Sequence, residues 1–387
     1  MIGCTVIRPK TSILPLSRLI LSRTNRGIVS SSSNLVENSN SNVVSQQTDN
    51  VDYTTVQHVP VMSREVIKSL KPESGKIYID MTFGAGGHTR KILESAPNVK
   101  LIALDRDPDT KRHMDIICEN FPNQVIPLCG KFSELPSLLE SMNIAEESID
   151  GILFDFGCSS MQFDHAERGF SINLNGPLDM RMDKNRYPDE PTAADVLATI
   201  DENDLAKIIK VYGGEKKAKK IARTIIDVRY ALKPIRTTHE LASIVASCFD
   251  ENFHLDRLNR PMHNATKTFQ AIRIFVNDEL NEINYGIQCA EKYLKYGGRL
   301  VTLTFHSLED TIVKRHIQGQ VVQGIANALA LKYVSQMEIC EKNMIENFMK
   351  STWKPLYKHV IIPSPKEVDL NPRCRSAKLR AAIKTHQ

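Results

Sequence analysis

The hydrophobic pattern changes character twice along the chain, and those changes predict its organisation. From residue 77 the apolar positions fall in short runs separated by helical spacing. Ile77 and Ile79 mark a short buried strand that leads through a glycine-rich turn, Gly84-Ala-Gly-Gly87, into a helix over Thr89–Ser95. Val99–Asp105 is a continuous apolar run ending in a carboxylate, the signature of a strand buried on both faces. A helix starts at Asp107-Pro108 and runs towards Phe121. Strands are then predicted over Val125–Leu128 and Ile149–Asp155, the second again ending in an acid. Strand alternating with helix predicts an α/β fold around a parallel sheet. A short helix over Ser63–Leu70 precedes the first strand.

Alternation stops after Gln162. Loop signals follow (Asn173-Leu-Asn-Gly-Pro177, Tyr187-Pro-Asp-Glu-Pro191), then helical periodicity over Thr192–Ile200, Glu202–Tyr212, Glu215–Ala231 and Thr238–Cys248. This predicts a mainly helical subdomain, residues 163–264, inserted into a domain made of 58–162 plus 265–387. A long helical stretch over 266–295, closed by Gly297-Gly298, brings the chain back to a fifth strand, Arg299–Phe305, and a helix, Leu308–Ile317. Residues 318–352 read as helical without assignable chemistry. Lys358–Ile362 and Ala377–Ile383 are predicted as the last strands.

Charge changes the reading of the N-terminus only. The formal net charge is +5, and residues 1–36 carry Arg8, Lys10, Arg18, Arg23 and Arg26 with no acid before Glu37. Those five cations equal the whole excess, so bulk basicity does not argue for a nucleic-acid partner. The same segment is Ser-rich, and Ile13, Leu14, Leu16, Leu19, Ile20 and Leu21 can line one helical face, while Arg18 interrupts any secretory apolar core. A mitochondrial transit peptide followed by a polar linker is expected over residues 1–57, and with it a matrix location. No run of 18 apolar residues occurs, so no membrane span is expected. Eight scattered cysteines without a C-x-x-C pair argue against a disulfide framework or a thiolate zinc site, and no metal is expected.

The candidate chemistry gathers at the predicted strand ends. The glycine turn, Asp105, Phe132 (in Gly130-Lys-Phe-Ser133) and Asp155 all fall at carboxyl ends of parallel strands, where open α/β sheets bind ligands. An acid ending the second strand can accept hydrogen bonds from ribose hydroxyls; it can equally cap the following helix. Phe132 can cover an adenine or simply fill the core. A dinucleotide fingerprint would place a third glycine at position 89, where Thr89 stands. Asp80-x-x-x-Gly84-x-Gly86 instead resembles the first motif of S-adenosylmethionine-dependent methyltransferases. That cofactor's ammonium and sulfonium suit a turn flanked by Asp80, Asp105 and Asp155.

Longer stretches carry a more specific resemblance. His58-Val-Pro-Val-Met62, Asp80–Thr89, Asp105-Arg-Asp-Pro108, Glu167-Arg-Gly-Phe-Ser171, Gly176–Asp183, Thr268–Arg273 and Phe305–Asp310, in this order, resemble the bacterial ribosomal RNA small-subunit methyltransferase H (MraW-like) family over about residues 58–383. The resemblance implies a class I, Rossmann-like methyltransferase fold with a helical insertion and S-adenosyl-L-methionine as cofactor. It also implies methylation of the N4 amine of a cytidine in small-subunit ribosomal RNA, free or in a pre-ribosomal particle. With the import signal, that RNA would be the mitochondrial, 12S-type one. Carried over by motif, Gly86, Gly87, His88, Asp105, Phe132, Asp155 and Gln162 would contact the cofactor. The chain departs from the family pattern at Phe156-Gly-Cys-Ser-Ser-Met161, Asn264 and Lys267, none of which removes a glycine or charged contact.

Methylating an amine whose lone pair is delocalised into a ring requires orientation and a proton acceptor. Asp155, at the fourth strand's end, is the expected catalytic residue, with His306 and Asp179 as secondary candidates. The target base has to leave its stack. Lys216, Lys217, Lys219, Lys220 and Arg223, and separately Arg373, Arg375, Lys378 and Arg380, could hold phosphates or could be solvated faces. The competing reading is an assembly factor that keeps the fold without the chemistry.

Overall fold

The computed structural model describes residues 60–231, 234–250, 253–255, 261–319 and 352–385. The expected transit peptide and linker, and nearly all of the helical stretch expected over 318–352, lie outside those residues.

The first half follows the periodicity closely: α1 (Ser63–Leu70), β1 (Ile77–Asp80), α2 (Gly87–Ser95), β2 (Lys100–Asp105), α3 (Lys111–Asn120), β3 (Val125–Cys129), α4 (Leu135–Ser141), β4 (Ile149–Asp155) and α5 (Ser160–Asp164). Helix α2 begins two residues earlier than expected because the turn itself supplies its start. Gly86, the residue before the helix, has φ +78°, and a side chain there would strike the Phe83 ring at 2.8 Å. A glycine is required at that position by both conformation and space.

Next come α6 (Ala193–Thr199), α7 (Glu202–Gly213), α8 (Ala218–Ala231), α9 (Thr238–Ser247) and a two-stranded antiparallel ribbon, β5 (Phe253–Leu255) with β6 (Pro261–His263). Reciprocal capping boxes start two of these helices, Thr192 with Asp195 and Thr237 with Glu240. Their apolar faces form a cluster of their own, centred on Ile209, Ile221, Ile225, Leu241 and Val245. It is closed by Phe269 and Ile272 of α10 (Thr266–Val276).

The long helix expected over 266–295 is in fact two. It breaks after α10 at Asn277-Asp278, where Asp278 adopts φ +49°, and resumes as α11 (Glu279–Tyr293). Asn277 explains the break: its side chain donates to Met180 O and Arg273 O and accepts from Met182 N–H, tying the helix end to the 180–182 loop. The chain then runs through β7 (Leu294–Thr304), α12 (Ser307–Ile317), β8 (Trp353–Pro355), α13 (Pro365–Leu370) and β9 (Lys378–Lys384). Lys358–Ile362 is not a strand. It contributes a single bridge, Ile361 to Leu379, and the penultimate strand is β8.

The seven-stranded sheet has the order β3-β2-β1-β4-β7-β9-β8. The first five strands are parallel, and β9 is antiparallel to both β7 and β8. The succession of strands reverses direction between β1 and β4. The crevice beyond their carboxyl ends is therefore the sheet's switch point, where such folds take ligands. Apolar side chains cover both faces. One cluster centres on Ile79, Leu104, Ile152 and Phe154 with α4, α11 and α12; the other on Tyr78, Leu101, Leu153 and Val301 with α1, α2 and α3.

Candidate active site

A cavity of about 920 Å³ opens at the switch point, a volume suited to a cofactor with part of a second substrate. Its walls come from the β1 turn (Thr82–Ala85, Gly87, His88), the β2 end (Asp105, Arg106), Phe132, the β4 end and following loop (Asp155–Asp164), α10 and α11 (Arg273, Glu279, Glu282), the β7 end (Phe305, His306, Glu309) and the 371–376 segment.

The turn is held together by carboxylates that also answer what each acid does. Asp80 is wholly buried and absent from the cavity wall; its oxygens accept from Thr82 N–H at 3.1 Å and from the Thr89 hydroxyl at 2.8 Å. It therefore braces the turn instead of flanking a ligand, and Thr89 is its partner. Thr82 in turn accepts from Asp155 N–H at 2.7 Å, locking the β1 turn to the end of β4. Asp105 lines the cavity and accepts from Gly84 N–H at 2.7 Å and from Asp107 N–H at 2.9 Å. Burial pushes its carboxyl up to about 7, because the two amide donors offset only part of the desolvation.

Of the other expected contacts, Gly87, His88, Phe132, Asp155 and Gln162 all line the cavity, whereas Gly86 does not. Gly86 is turned towards Phe83 and Ile117 and shapes the turn from behind. Phe132 packs edge-on against Phe154 and Phe156, with ring centroids 5.3 and 6.0 Å away. Gly286 of α11 admits it: a side chain there would meet Phe154 at 2.9 Å and Phe132 at 3.1 Å. Gln162 already spends both ends of its amide. It accepts from Ser159 N–H at 3.1 Å and donates to Asp107 at 2.8 Å. At the β4 end, Asp155 Oδ2 lies 3.5 Å from His88 Nε2, and Asp155 Oδ1 is buried with no hydrogen-bond partner.

Asp179 is not in the site. It forms a bidentate pair with Arg181 at 2.8 and 2.9 Å and is not among the residues lining the cavity. His306 is in the site, as the cap of α12: its Nδ1 accepts from Glu309 N–H at 3.5 Å, and its Nε2 lies 2.9 Å from Glu309 Oε1.

Several residues to which the sequence alone gave no role are central: Arg168, Arg106, Arg273, Glu279 and Glu309. Arg168, almost fully buried, donates to Asp107 at 2.7 Å, Asp109 at 3.0 Å and the carbonyls of Arg181 and Met182. Arg106 forms a bidentate pair with Asp183 at 2.6 and 2.7 Å and donates to Asn277 O. These guanidinium forks fasten the 166–183 loop to the end of β2. Arg273 is held by Glu279 at 2.7 and 2.8 Å. Glu279, His306 and Glu309 bring one potential ligand atom each within 4.8 Å of one another. All of these except Glu279 fall within the family-like motifs, but their partners lie across the fold and so cannot be read from spacing.

The two basic groups divide. Lys217 and Lys220 donate to Cys248 O, and Arg223 faces Glu202. Lys378 and Arg380 are paired with Asp310, which they hold below the usual carboxylate range against the opposing effect of burial. Arg373 and Arg375 line the cavity, Arg373 pairing with the exposed Asp164 at 2.6 Å.

The model of the MraW methylase family matches residues 55–385. The Bos taurus protein named 12S rRNA N(4)-cytidine methyltransferase METTL15 is 48% identical over 339 residues, 85% of this chain and 83% of that one. Ribosomal RNA small subunit methyltransferase H of Ehrlichia canis is 42% identical over 327 residues, 84% of this chain and 99% of that one. A Culex quinquefasciatus protein named as a receptor-type tyrosine-protein phosphatase, mosPTP-1, is 58% identical over 329 residues; the chain spans only 22% of that relative's length.

Proposed function

The chain belongs to the MraW methylase family, and from that premise we propose that it methylates the N4 amine of a cytidine in mitochondrial small-subunit, 12S-type ribosomal RNA. S-adenosyl-L-methionine is the donor and the mitochondrial matrix the location, in support of small-subunit assembly. The observation that carries this reading is Asp155 Oδ1, a buried oxygen without a partner at the switch point of the sheet. A buried carboxylate oxygen is left unpaired only at a cost, which a cationic or N–H-bearing ligand removes.

The residues present fit the cofactor. Asp105 offers carboxylate oxygens at the β2 end for ribose hydroxyls, and Phe132 offers an aromatic surface for the adenine. Gly87 and His88 supply the start of α2, and the turn keeps Gly86 behind it. Gln162 serves the site by fixing Ser159 and Asp107. When bound, the cofactor supplies an electrophilic methyl group on a sulfonium. Asp155 orients the cytosine amine and accepts the proton that the amine sheds as it becomes positively charged. A weak base suffices, because an amine conjugated to the ring is a strong acid once alkylated. The Asp155 backbone N–H donates to the Thr82 hydroxyl, which fixes the strand end that presents this carboxylate, and His88 Nε2 lies 3.5 Å from its Oδ2. Arg373 and Arg375, at the cavity wall, face the phosphates of an unstacked single-stranded segment.

The test is to map N4-methylcytidine in mitochondrial small-subunit ribosomal RNA with and without this protein, and after restoring it with Asp155→Asn. Loss of the mark on deletion, rescue by the parent chain and no rescue by the variant are expected. An unchanged mark, with small-subunit assembly nonetheless impaired, would favour the assembly factor that keeps the fold without the chemistry.

A further inference from the structure

Glu309 is the most confined acid of the cavity. It is wholly buried, and its two oxygens have different surroundings. Oε2 accepts from Phe305 N–H at 2.6 Å and His306 N–H at 3.2 Å, which completes the cap of α12. Oε1 has no hydrogen-bond partner; His306 Nε2, at 2.9 Å, is close to it but poorly aligned. That oxygen is aimed at the loop after β4, because a Cβ placed on Gly157 would lie 3.9 Å from it. Gly157 is two residues beyond Asp155, whose Oδ1 is the other unpartnered buried oxygen of the same loop region. Burial should push Glu309 towards the neutral acid, yet His306 and Arg273 hold it below the usual carboxylate range, so the orphan oxygen is anionic at neutral pH.

Two buried carboxylate oxygens without a hydrogen-bond partner, on the wall of one cavity, match a group with two N–H bonds on one nitrogen. We propose that Glu309 is the specificity-determining residue of this site: Oε1 accepts the second N–H of the cytosine amine while Asp155 takes the first, and His306 is its positioning partner. The inference rests on the cytidine reading above and adds what makes the site reject uracil. Uracil presents a carbonyl oxygen, which bears no hydrogen, where cytosine presents the amine. Its lone pairs would face two carboxylates, leaving both unpaired. Sites built to hydrogen-bond a substrate N–H reject the analogue that lacks it far more strongly than shape alone allows. The titratable groups packed around Glu309 are His306 at the cap of its own helix, Arg273 from α10, Glu279 from α11 and Cys158 from the loop after β4, whose thiol burial pushes up to about 12. Arg273 is already committed to Glu279. A cation bound by Glu279, His306 and Glu309 would sit beside that guanidinium, which disfavours a metal at this cluster.

Glu309→Gln is the informative substitution. It keeps the shape and an oxygen for the two cap N–H groups, and it puts an amide NH2 where Oε1 was. The readout is equilibrium binding, without the methyl donor, of two single-stranded RNA oligonucleotides that differ only by cytidine or uridine at the target position. Methylation of the cytidine oligonucleotide, S-adenosylhomocysteine affinity and the melting temperature are followed alongside. The parent should prefer cytidine. In Glu309→Gln the preference should fall at least tenfold, because the amide can donate to the uracil carbonyl. Its methylation rate should fall about a hundredfold, with S-adenosylhomocysteine affinity within twofold of the parent. His306→Asn, which retains a capping oxygen, should lower the preference less.

Three outcomes would overturn the proposal: an unchanged cytidine preference in a folded Glu309→Gln chain; an equal loss of S-adenosylhomocysteine affinity, which would assign Glu309 to the cofactor; or stoichiometric binding of Zn²⁺ or Mg²⁺ abolished by the substitution. A parent chain that methylates no cytidine would instead refute the function itself.

Discussion

Replacing Arg168 by methionine tests the idea that buried forks fasten the 166–183 loop to the sheet edge. The guanidinium donates to four acceptors: Asp107 at 2.7 Å, Asp109 at 3.0 Å, Met182 O at 3.1 Å and Arg181 O at 3.2 Å. Arg168 and Asp107 are both almost fully buried, so water does not screen the pair. Removing one partner of such a pair leaves a buried charge uncompensated, at about 3–5 kcal/mol. Asp107 keeps Asp109 N–H and the Gln162 amide, which places the expected loss towards the lower end of that range. Even about 3 kcal/mol is a large part of a typical folding stability of about 5–15 kcal/mol. The assay is urea unfolding of a double-mutant cycle: Arg168→Met, Asp107→Asn and the pair together. A coupling energy of about 2–3 kcal/mol is expected, because the double variant no longer buries a lone charge. Arg168→Lys should recover little, since one ammonium cannot reach four acceptors spread around a planar fork. A coupling below about 0.5 kcal/mol would refute the reasoning, for the loop would then be held by its apolar packing alone.

Gly86→Ala should cost at least about 2 kcal/mol, combining the left-handed backbone with a Cβ pressed against Phe83. Gly75→Ala, at φ +73° with open space around it, should cost about 1 kcal/mol; equal melting losses in the two would refute the close-approach argument. If Asp105 binds the cofactor as a carboxylate, affinity for S-adenosylhomocysteine should rise with pH from about 6 to about 8 and then level off. The sign follows from a free-state pKa raised to about 7: below it a proton has to leave on binding. Calorimetry in two buffers of different ionisation enthalpy reports that proton, and a flat profile, or one that persists in Asp105→Asn, would rule the assignment out. In the cofactor-free protein the same raised pKa makes Asp105 destabilising as pH climbs from about 4 to about 7, since the folded state holds its proton longer than the unfolded chain does. Reversing Arg373 and Arg375 to Glu should weaken RNA binding and flatten its salt dependence. The slope should fall by about 0.7 for each phosphate no longer neutralised; an unchanged slope would place the RNA elsewhere.

Local pattern reached the elements whose stabilising interactions are local or repeat along one face. Strands β1 to β4 announce themselves because buried parallel strands are continuous apolar runs, and α6 to α9 because a stripe at helical spacing has one face to bury. The break at Asn277 and Asp278 was invisible: its partners, Met180 and Met182, lie almost a hundred residues away. The strand misplaced to 358–362 failed for a related reason. Val360, Ile361 and Ile362 look like a strand, but Trp353–Pro355, whose tryptophan is buried in the core, pairs with Ala382–Lys384 of β9 and leaves that stretch a single bridge, Ile361 to Leu379.

The same division runs through the site. By itself the sequence determined that a glycine turn, Asp105, Phe132 and Asp155 gather at one sheet edge, because in a parallel sheet every strand delivers its carboxyl end to the same side. It also determined the family, through long motifs kept in order. Which acid keeps an oxygen open at the cavity was decided only in three dimensions. Asp80 is consumed by Thr82 and Thr89, Asp179 by Arg181, and Gly86 is turned to Phe83, whereas Asp155 and Glu309 each keep one buried oxygen free. A residue's type states which hydrogen bonds it can make. Only the packed fold decides which of them are already made and which acceptors are left over for a ligand.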